Sequence, residues 1–440
     1  METGPIASAL LAFALPVLAA QLLQELYNVT DCMGVGHFGG ENALAATGVA
    51  GLVLSVLINF FVGFSSGISA VTARLFGACD YPTLKRTLAT VFRSVIAFGL
   101  GVSALVALGA DRILMLMKCP AAVLPAATLY LRICACGLTA QLLYNVGTAF
   151  LRSVGDTRTP LLFYLLSVAC NLALDVLLVI GLRRGIAGAA VATLFSQWLL
   201  AMLVLIHLWR LNDDFALRLL GPGMSLSQMR KLLAIGLPAG MQALFMSISS
   251  FLIQTVINRF GPDAIAGMTL FAKLEGCIYL PTFAYGIALT SFVGQNLGAG
   301  RKDRIRRAVG LSVKLTAAVI LPLSLLLVLA SPLLLRLFTR DAEILRNAGE
   351  AVRFTLPLYL VYSINQVYLG AIKGLGNTSY PMVCTLICYS LFRVLWCLLL
   401  IPAYPTMRVV YLSYTVSFFL MLALLLPKYR RMMAAGEERK

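Results

Sequence analysis

Charged residues are scarce in this chain of 440 residues. Only 12% of the positions hold Asp, Glu, Lys or Arg, whereas 60% are hydrophobic, and the mean hydropathy is +0.90. A water-soluble protein could not hide that much apolar surface inside its own core. The composition therefore excludes a soluble globular protein and indicates a protein whose surroundings are largely lipid.

Histidine is scarcer still, since His37 and His207 are the two in the whole chain. The segment GFSSG (63–67) fits the G-x-S-x-G pattern of serine hydrolases, but both histidines lie at the ends of apolar segments, where neither can act as its base. Small residues there are more typical of close helix packing. Metalloprotease, Walker A and dinucleotide-binding motifs are also lacking. The sequence predicts no enzyme and no cofactor, so an ion gradient is the expected energy source.

Long apolar runs are what the chain has instead. A helical bilayer crossing takes about 20 apolar residues, and these runs are continuous rather than alternating as in a membrane barrel. The first run follows a start without Lys or Arg and is longer than a signal peptide, so it predicts a permanent span. The predicted fold class is an all-α membrane protein with twelve transmembrane helices. Their centres lie near residues 15, 57, 97, 138, 170, 198, 245, 283, 322, 360, 391 and 418.

The formal net charge of +17 is explained by where the charges lie. With both termini placed in the cytoplasm, the inner loops and the tail carry most of the loop Lys and Arg, as the positive-inside rule requires. The charge therefore orients the chain and implies no nucleic-acid partner. The basic segment RKDRIRRAV (301–309) is interpreted as a topological anchor, with contact to anionic lipid headgroups as the alternative.

Internal repeats divide the chain into two copies of one unit. LRSVGDTRTP (151–160) matches IKGLGNTSYP (372–381), and ARLFGACDYPTLKR (73–86) matches GQNLGAGRKDRIRR (294–307), in both cases 221 residues later. Each copy has six spans, so both enter and leave on the same side and are related by an axis along the membrane normal. The predicted domains are an N-lobe (1–209), a cytoplasmic linker (210–231) and a C-lobe with a short basic tail (232–440).

The repeated Gly-Asp-Thr and Gly-Asn-Thr segments are interpreted as turns rather than as catalytic motifs. Gly155 and Gly376 suit a left-handed turn after a helix, and Pro160 and Pro381 suit the first turn of the next one. Thr159 is expected to cap that helix.

Polar residues inside the N-terminal spans are the main functional signal. A carboxylate at membrane depth costs from about 2.5 kcal/mol upward, so it normally faces a cavity. Helical spacing places the polar residues of each span on one face, and the three faces can converge on a pocket rich in oxygen ligands. They are Gln24, Asn28 and Asp31 in the first span, Ser167, Asn171 and Asp175 in the fifth, and Thr193, Ser196 and Gln197 in the sixth.

Two alternatives stay open for these acids. Asp31 would have no coupling role if it ended a helix in the headgroup region, and Asp175 would have none at an aqueous rim. The repeat favours function, because Asp31, Asn171 and Asp175 align with residues 253, 392 and 396, which are Ile, Phe and Trp. The fold thus accepts apolar residues at these positions.

The C-terminal half carries a different set of polar residues in its spans. Glu275 and Arg393 are expected to form an intramembrane pair, with a substrate or gating contact as the alternative. The predicted C-lobe cluster consists of Gln254, Lys273, Glu275, Tyr359, Asn365 and Arg393.

The sequence resembles the multidrug and toxic compound extrusion (MATE) family over essentially its whole length. The residues that carry the resemblance are LYNVTDCMGVGHFGG, LRSVGDTRTP, FVGQNLGAGRKDRIRRA and KGLGNTSYP, within two six-span halves. The resemblance implies a bacterial inner-membrane antiporter whose two lobes form a V-shaped central cleft. Such a protein exports cationic and amphipathic compounds in exchange for H⁺ or Na⁺.

Within the family, the chain is most similar to the DinF-like prokaryotic branch. The resemblance assigns cation coupling, or a possible Na⁺ site, to Asp31, Asn171, Asp175 and Thr193. The NorM-like branch has an ion-site glutamate in the seventh helix, where this chain reads QALFMSISS (242–250) without an acid. A C-lobe Na⁺ site of that type is therefore not expected.

The resulting hypothesis is an antiporter in which H⁺, rather than Na⁺, competes with small organic cations or amphipathic drugs. Substrate contacts are expected from Gln24, Tyr27, Asn28, Asp31, Asp175 and Gln197, and the protein is expected to be a monomer. One alternative is a flippase for lipid-linked precursors of the wider superfamily, although such relatives often have extra spans and a cationic cavity. Another is a non-transporting receptor or scaffold, which would not need intramembrane acids.

Overall fold

The structure is a computed structural model that describes residues 4–38, 43–211 and 226–434, without the side chains of residues 28–38, 226 and 228. Within these ranges the regular structure is helical and no strand is present. The N-terminal half, up to residue 211, contains seven α-helices and one π-helical segment. They are α1 (Ile6–Phe38), α2 (Ala43–Gly77), α3 (Tyr81–Leu116), α4 (Leu124–Ala135), α5 (Leu138–Ser153), α6 (Arg158–Asp175), the π segment (Val176–Gly181) and α7 (Gly185–Arg210).

The C-terminal half, from residue 226, repeats this order with a second π-helical segment inside its penultimate span. Its elements are α8 (Leu226–Ile257), a 3₁₀ turn (Asn258–Phe260), α9 (Pro262–Gly298), α10 (Lys302–Arg336), α11 (Ala342–Thr355), a 3₁₀ turn (Leu356–Leu358), α12 (Tyr359–Gly374), α13 (Ser379–Thr385), the π segment (Leu386–Leu391), α14 (Phe392–Leu400) and α15 (Met407–Ala434). The offset predicted from the sequence recurs in the helices. Both α5 and α12 have 16 residues, and α12 begins 221 residues after α5.

Long apolar helices account for most of the predicted spans. In the described part of the chain, ten helices or helix pairs are long and apolar enough to cross a membrane, and α4 with α5, bent by 44°, adds an eleventh when the pair is counted as one span. Their counterparts α11 and α12, joined by the 3₁₀ turn at Leu356–Leu358, occupy the equivalent place in the second half. Large apolar side chains such as Leu108 and Leu329, 83% and 71% exposed, cover the outside of these helices. The chain is a multi-span helical membrane protein with two six-span halves.

The loop after α5 and the loop after α12 have the same construction. Gly155 and Gly376 have φ values of +100° and +89°, the left-handed region predicted for them. The prediction that Thr159 caps α6 is wrong. The side chain of Asp156 accepts the Thr159 backbone N–H at 3.0 Å, and in the second copy Asn377 accepts that of Tyr380 at 3.0 Å. The acid or amide directly after each glycine reaches the free N–H groups of the first turn, which Thr159 does not.

Packing divides the chain into two compact units whose boundaries differ from the predicted domains. One unit is Pro16–Gly240, and the other is Met1–Leu15 together with Met241–Lys440. The first turns of α1 and α8 thus belong to the opposite unit from the rest of each helix. Pro16 and Pro238 lie inside the two helices near these boundaries between the units, and the backbone N–H that each proline lacks permits a bend there. Most of the predicted linker, 210–231, lies outside the described residues.

Candidate functional site

The polar faces of α6 and α7 are fastened to each other inside the first unit. The Ser167 hydroxyl donates to the Ser196 carbonyl at 2.9 Å, and the Ser196 hydroxyl donates to the Ala192 carbonyl at 2.8 Å. Ser167, Asn171 and Ser196 are all buried. On α6, Ser167, Asn171 and Asp175 are spaced four positions apart, so they share one face of the helix and extend toward its C-terminal end.

Asn171 is the most unusual side chain on this face. It is 1% exposed, and neither its amide nitrogen nor its amide oxygen has a hydrogen-bond partner among the described residues. Leaving a buried polar group unsatisfied costs about 1–3 kcal/mol, so such a group in a folded protein calls for a specific explanation. A bound cation, proton carrier or water would satisfy it. Gln197 of α7 likewise has a buried side-chain oxygen without a described partner.

The first helix reaches the same site through Tyr27. Its hydroxyl lies 3.4 Å from the Thr193 hydroxyl of α7, in a part-buried contact. Asp31 lies one helical turn further along α1 than Tyr27, which places it on the same helix face. The side chains of Asn28 and Asp31 lie outside the described part of the chain, whereas Gln24 is exposed.

A π-helical segment directly follows the polar stripe of α6, which consists of Ser167, Asn171 and Asp175. Asp175 is the last residue of α6, and the segment Val176–Gly181 begins at the next position. A π turn changes the backbone hydrogen-bond pattern, and such turns are frequent at functional sites. Asp175 is half-buried there. The N-terminal site therefore combines oxygen-bearing side chains from α1, α6 and α7 beside an irregular backbone segment.

The C-terminal half holds a cationic side chain among aromatic rings. Arg393 is 8% exposed, and its Nε donates to the Ser417 hydroxyl at 2.8 Å. Its guanidinium carbon lies 4.2 Å from the centroid of the Tyr414 ring, 4.6 Å from that of Tyr389 and 5.4 Å from that of Phe418. Desolvated contacts of this kind are each worth about 2 kcal/mol. Arg393 is thus held by α15 and by the π segment that precedes it.

Glu275 of α9 belongs to the neighbouring part of the same aromatic cluster. It accepts a hydrogen bond from the Tyr359 hydroxyl, and the Tyr359 ring lies 5.3 Å from that of Tyr362 and 5.5 Å from that of Phe418. Within the described ranges, the ion pairs shorter than 4.0 Å do not include Glu275 with Arg393. The expected direct pair is therefore not formed, and each charge has its own polar partner.

The predicted C-lobe residues separate into two groups. Asn365 joins the cluster, because its amide donates to the Tyr389 hydroxyl at 3.2 Å and to the Phe418 carbonyl at 2.9 Å. Lys273 and Gln254 do not, since both are exposed, and the Gln254 amide donates to Asn258 of the 3₁₀ turn after α8 at 3.0 Å.

Sequence reasoning missed the aromatic residues that surround Arg393. Tyr389 precedes Arg393 by one turn, and Tyr414 and Phe418 are one turn apart on the following span. Aromatic residues one helical turn apart, near a cationic residue inside an apolar run, were the sequence signal that could have predicted this cluster. In the described residues, no group of three or more His, Cys, Asp or Glu could hold a metal ion.

Comparison with known proteins gives a consistent result. The family model described as MatE matches residues 16–177 and 238–399. The probable multidrug resistance protein YoeA of Bacillus subtilis is 27% identical over 380 residues, 84% of this chain and 82% of that protein. The probable multidrug resistance protein NorM of Thermotoga maritima is 26% identical over 394 residues, 88% of this chain and 84% of that protein. The crystal structure of MATE in the bent conformation has a TM-score of 0.92 at 22% identity and covers 99% of this chain and 97% of its own.

Apolar helical spans in two repeated halves define a polytopic membrane protein, and the relatives it resembles are named as multidrug resistance transporters. The match to the solved structure shows that the fold is shared along nearly the entire chain. The family model matches both halves at equivalent positions and covers most of the chain. The chain belongs to the MatE family of multidrug efflux transporters.

Proposed function

We propose that the protein is an ion-coupled antiporter that exports cationic or amphipathic small molecules by alternating access. The observation that carries this proposal is the buried Asn171 amide, whose two polar atoms have no partner among the described residues and which lies one turn from Asp175. The residues proposed for ion coupling are Asp31, Asn171, Asp175 and Thr193. Those proposed for substrate binding are Gln24, Tyr27, Asn28, Asp31, Asp175 and Gln197.

Protons are the proposed coupling ion. A carboxylate takes up a proton by itself, whereas Na⁺ would need several of these oxygen atoms to converge on it at once. When the site faces the more acidic side, proton uptake removes negative charge, and the affinity for a cationic substrate falls. The substrate then leaves and the proton is carried inward.

The available driving force is large enough for this exchange. A gradient of one pH unit contributes about 1.4 kcal/mol per proton, and a membrane potential of about 100 mV contributes about 2.3 kcal/mol per charge. The sum of about 3.7 kcal/mol supports accumulation of a neutral substrate by several hundredfold, since about 1.4 kcal/mol corresponds to a factor of ten. For a singly charged cation exchanged for one proton the charge movements cancel, and the pH gradient alone supports about tenfold accumulation.

Three finer assignments belong to the same proposal. The protein lies in the bacterial inner membrane as a monomer. Both of its termini are in the cytoplasm, because the basic loops and tail favour that side. It belongs to the DinF-like branch, because the acid and amide positions match in α1 and α6 and the segment 242–250 has no acid. Its substrates include small organic cations, consistent with acids rather than bases in the N-terminal stripe.

Transport by purified protein in lipid vesicles tests the proposal. The vesicles contain a fluorescent organic cation, and a pH gradient or a Na⁺ gradient is imposed separately. We expect uphill movement with the pH gradient, and a loss of about tenfold or more in Asp175→Asn and in Asp31→Asn, because each removes a charge that must alternate between proton and substrate.

Glu25→Gln is the matched control, since Glu25 is an exposed acid on α1 that is not on the polar stripe. This variant should transport at the parental rate. Parental pumping by Asp175→Asn, or movement driven by the Na⁺ gradient alone, would contradict the proposed coupling.

A further inference from the structure

The turn between α2 and α3 and the turn between α9 and α10 are two copies of one backbone motif. Cys79 and Gly300, which occupy equivalent positions, have φ values of 55° and 71°. The same backbone hydrogen bonds close both turns, with Asp80 N–H donating to the Leu75 carbonyl at 3.1 Å and Arg301 N–H to the Asn296 carbonyl at 2.8 Å. Because the backbone is shared, differences in side chains at this turn are not required by the fold.

The side chains at the start of the following helix differ in charge between the two copies. Asp80 caps α3 by accepting the Thr83 backbone N–H at 3.1 Å. At the equivalent position of α10 stands Arg301, which makes no side-chain cap. The first seven residues of the second copy read RKDRIRR, whereas those of the first read DYPTLKR. The first copy thus has an aspartate that caps the start of its helix, whereas the second copy has an arginine at that position and further arginines in the next two turns.

Three of these arginines line one cavity. Arg301, Arg304 and Arg307 recur every three residues, so they lie along one side of the start of α10. They border a cavity of about 410 Å³ together with Asp303, Gly300 and Ile6. This volume falls within the range of about 300–1,000 Å³ that is usual for small-molecule sites. Lys302 and Arg306, on other sides of the same helix, do not line it.

The central arginine of the set is held in place by its surroundings. One Nη of Arg304 donates to the Gly4 carbonyl at 2.9 Å, and its guanidinium carbon lies 5.5 Å from the centroid of the Phe292 ring. A topological anchor needs only positive charge on one side of the membrane, which Arg74, Lys85 and Arg86 at the other turn also supply. A fixed guanidinium at a cavity is more than that role demands.

The position of the cavity indicates what fills it. Ile6 is the first residue of α1 and Lys302 the first of α10, and both helices are membrane spans. The cavity therefore lies where two spans meet the headgroup layer, with an apolar residue in its wall. Guanidinium groups recognise phosphate oxygens through paired hydrogen bonds, and basic pockets between spans at this depth suit anionic headgroups.

We propose that this cavity binds the phosphodiester headgroup of an anionic phospholipid, held by Arg301, Arg304 and Arg307. The bound lipid ties the start of α1 to the start of α10, both in the same compact unit. The site is independent of the coupling residues, so it stands or falls separately from the proposed antiport.

Binding of a fluorescent short-chain phosphatidylglycerol to the purified full-length protein in detergent micelles tests the proposal. Arg301→Gln/Arg307→Gln removes two cavity arginines and spares the contacts of Arg304, and we expect it to weaken binding about tenfold or more. Lys302→Gln/Arg306→Gln removes the same charge from other sides of the same helix and should weaken binding less than about threefold. Equal losses in the two variants would overturn the site, because they would show attraction to charge alone.

Competition identifies the source of the phosphate. Unlabelled phosphatidylglycerol should displace the probe, while phosphatidylcholine and inorganic phosphate at the same concentration should not. Equal displacement by inorganic phosphate would overturn the lipid assignment in favour of a small-anion site. Arg304→Gln provides a second variant, with a similar loss expected, and full binding by folded Arg304→Gln would contradict the proposal.

Discussion

The two halves of the molecule share one succession of helices but keep different chemistry at equivalent positions. In the N-terminal half, α6 carries Asn171 and Asp175, and the Asn171 amide has no described partner. In the C-terminal half, the position of Asp175 is occupied by Trp396, whose ring nitrogen donates to the Val409 carbonyl at 3.0 Å. The buried charge there is Arg393, which is hydrogen-bonded and stacked.

This difference separates a site from a structural cluster. Polar groups that are fully partnered stabilise one packing arrangement, whereas a buried group without a partner is costly unless a ligand satisfies it. In the N-terminal half, both polar atoms of the Asn171 amide lack a described partner. In the C-terminal cluster, Arg393 and Glu275 are hydrogen-bonded, and the Asn365 amide nitrogen is bonded although its oxygen is not. Substitutions in the first half should therefore change transport more than stability, and those in the second half should change stability more than transport.

The largest expected effect is on transport by Asn171→Leu. The repeat places Phe at the equivalent position, so an apolar residue fits the fold. We expect coupled efflux to fall about tenfold or more, while stability stays equal or rises by about 1 kcal/mol because an unsatisfied amide is removed. Vesicle transport and thermal unfolding in detergent measure the two quantities. A large drop in unfolding temperature would show that Asn171 is structural.

Arg393→Met should have the converse effect. It removes a buried cation from three ring faces and from Ser417, so we expect a loss of about 2–4 kcal/mol. Thermal unfolding of the purified variant measures this loss. Arg346→Met is a control in the same half, because Arg346 is exposed and pairs with Glu343 on its own helix; its unfolding temperature should be nearly parental.

Tyr359→Phe is expected to have a smaller effect. It removes the hydroxyl that donates to Glu275 while keeping the ring packed against Tyr362 and Phe418. A hydrogen bond to a charged group is worth about 1.5–3 kcal/mol, so the unfolding temperature should fall by less than in Arg393→Met. An unfolding temperature as low as that of Arg393→Met would mean that the ring contacts had been disturbed as well.

The smallest effects should be nearly equal in the two halves. Asp156→Ala and Asn377→Ala each remove a side chain that caps the following helix at the same distance, 3.0 Å. Each should lower stability by about 1 kcal/mol, with transport unchanged. Asp156 also lies 3.7 Å from His207 in a part-exposed pair, which adds less than about 1 kcal/mol to its loss. A larger difference between the two variants in unfolding free energy would show that the repeat is not equivalent even where its sequence agrees.

Much of the fold was readable from the sequence because its signals are periodic. Twelve apolar runs and a repeat offset of 221 residues, or 222 at the first helix, predict the helices, since both follow from local chain properties. Helical spacing also predicts the stripe of Ser167, Asn171 and Asp175. The division of packing at Pro16 and after Gly240 was not readable, because it depends on contacts between distant segments.

The C-terminal cluster shows where sequence reasoning stops. Opposite charges within apolar runs suggested a direct pair, but the partner of Glu275 is a tyrosine and that of Arg393 is a serine with three rings. Tyr359 comes from α12, and Ser417 and two of the rings come from α15, whereas the third ring, Tyr389, lies in the π segment directly before Arg393. The π segment before Arg393 also changes the direction in which that side chain points, and no sequence pattern predicts it.

Proton release on substrate binding tests the central claim most directly. An organic cation is added to purified protein in weakly buffered detergent solution, and the change in pH is recorded. If proton and substrate compete for the N-terminal acids, the parent and Glu25→Gln should release roughly one proton per bound cation, and Asp31→Asn/Asp175→Asn should release none. Cation binding by the parent without proton release, or the same release from the double variant, would contradict the account.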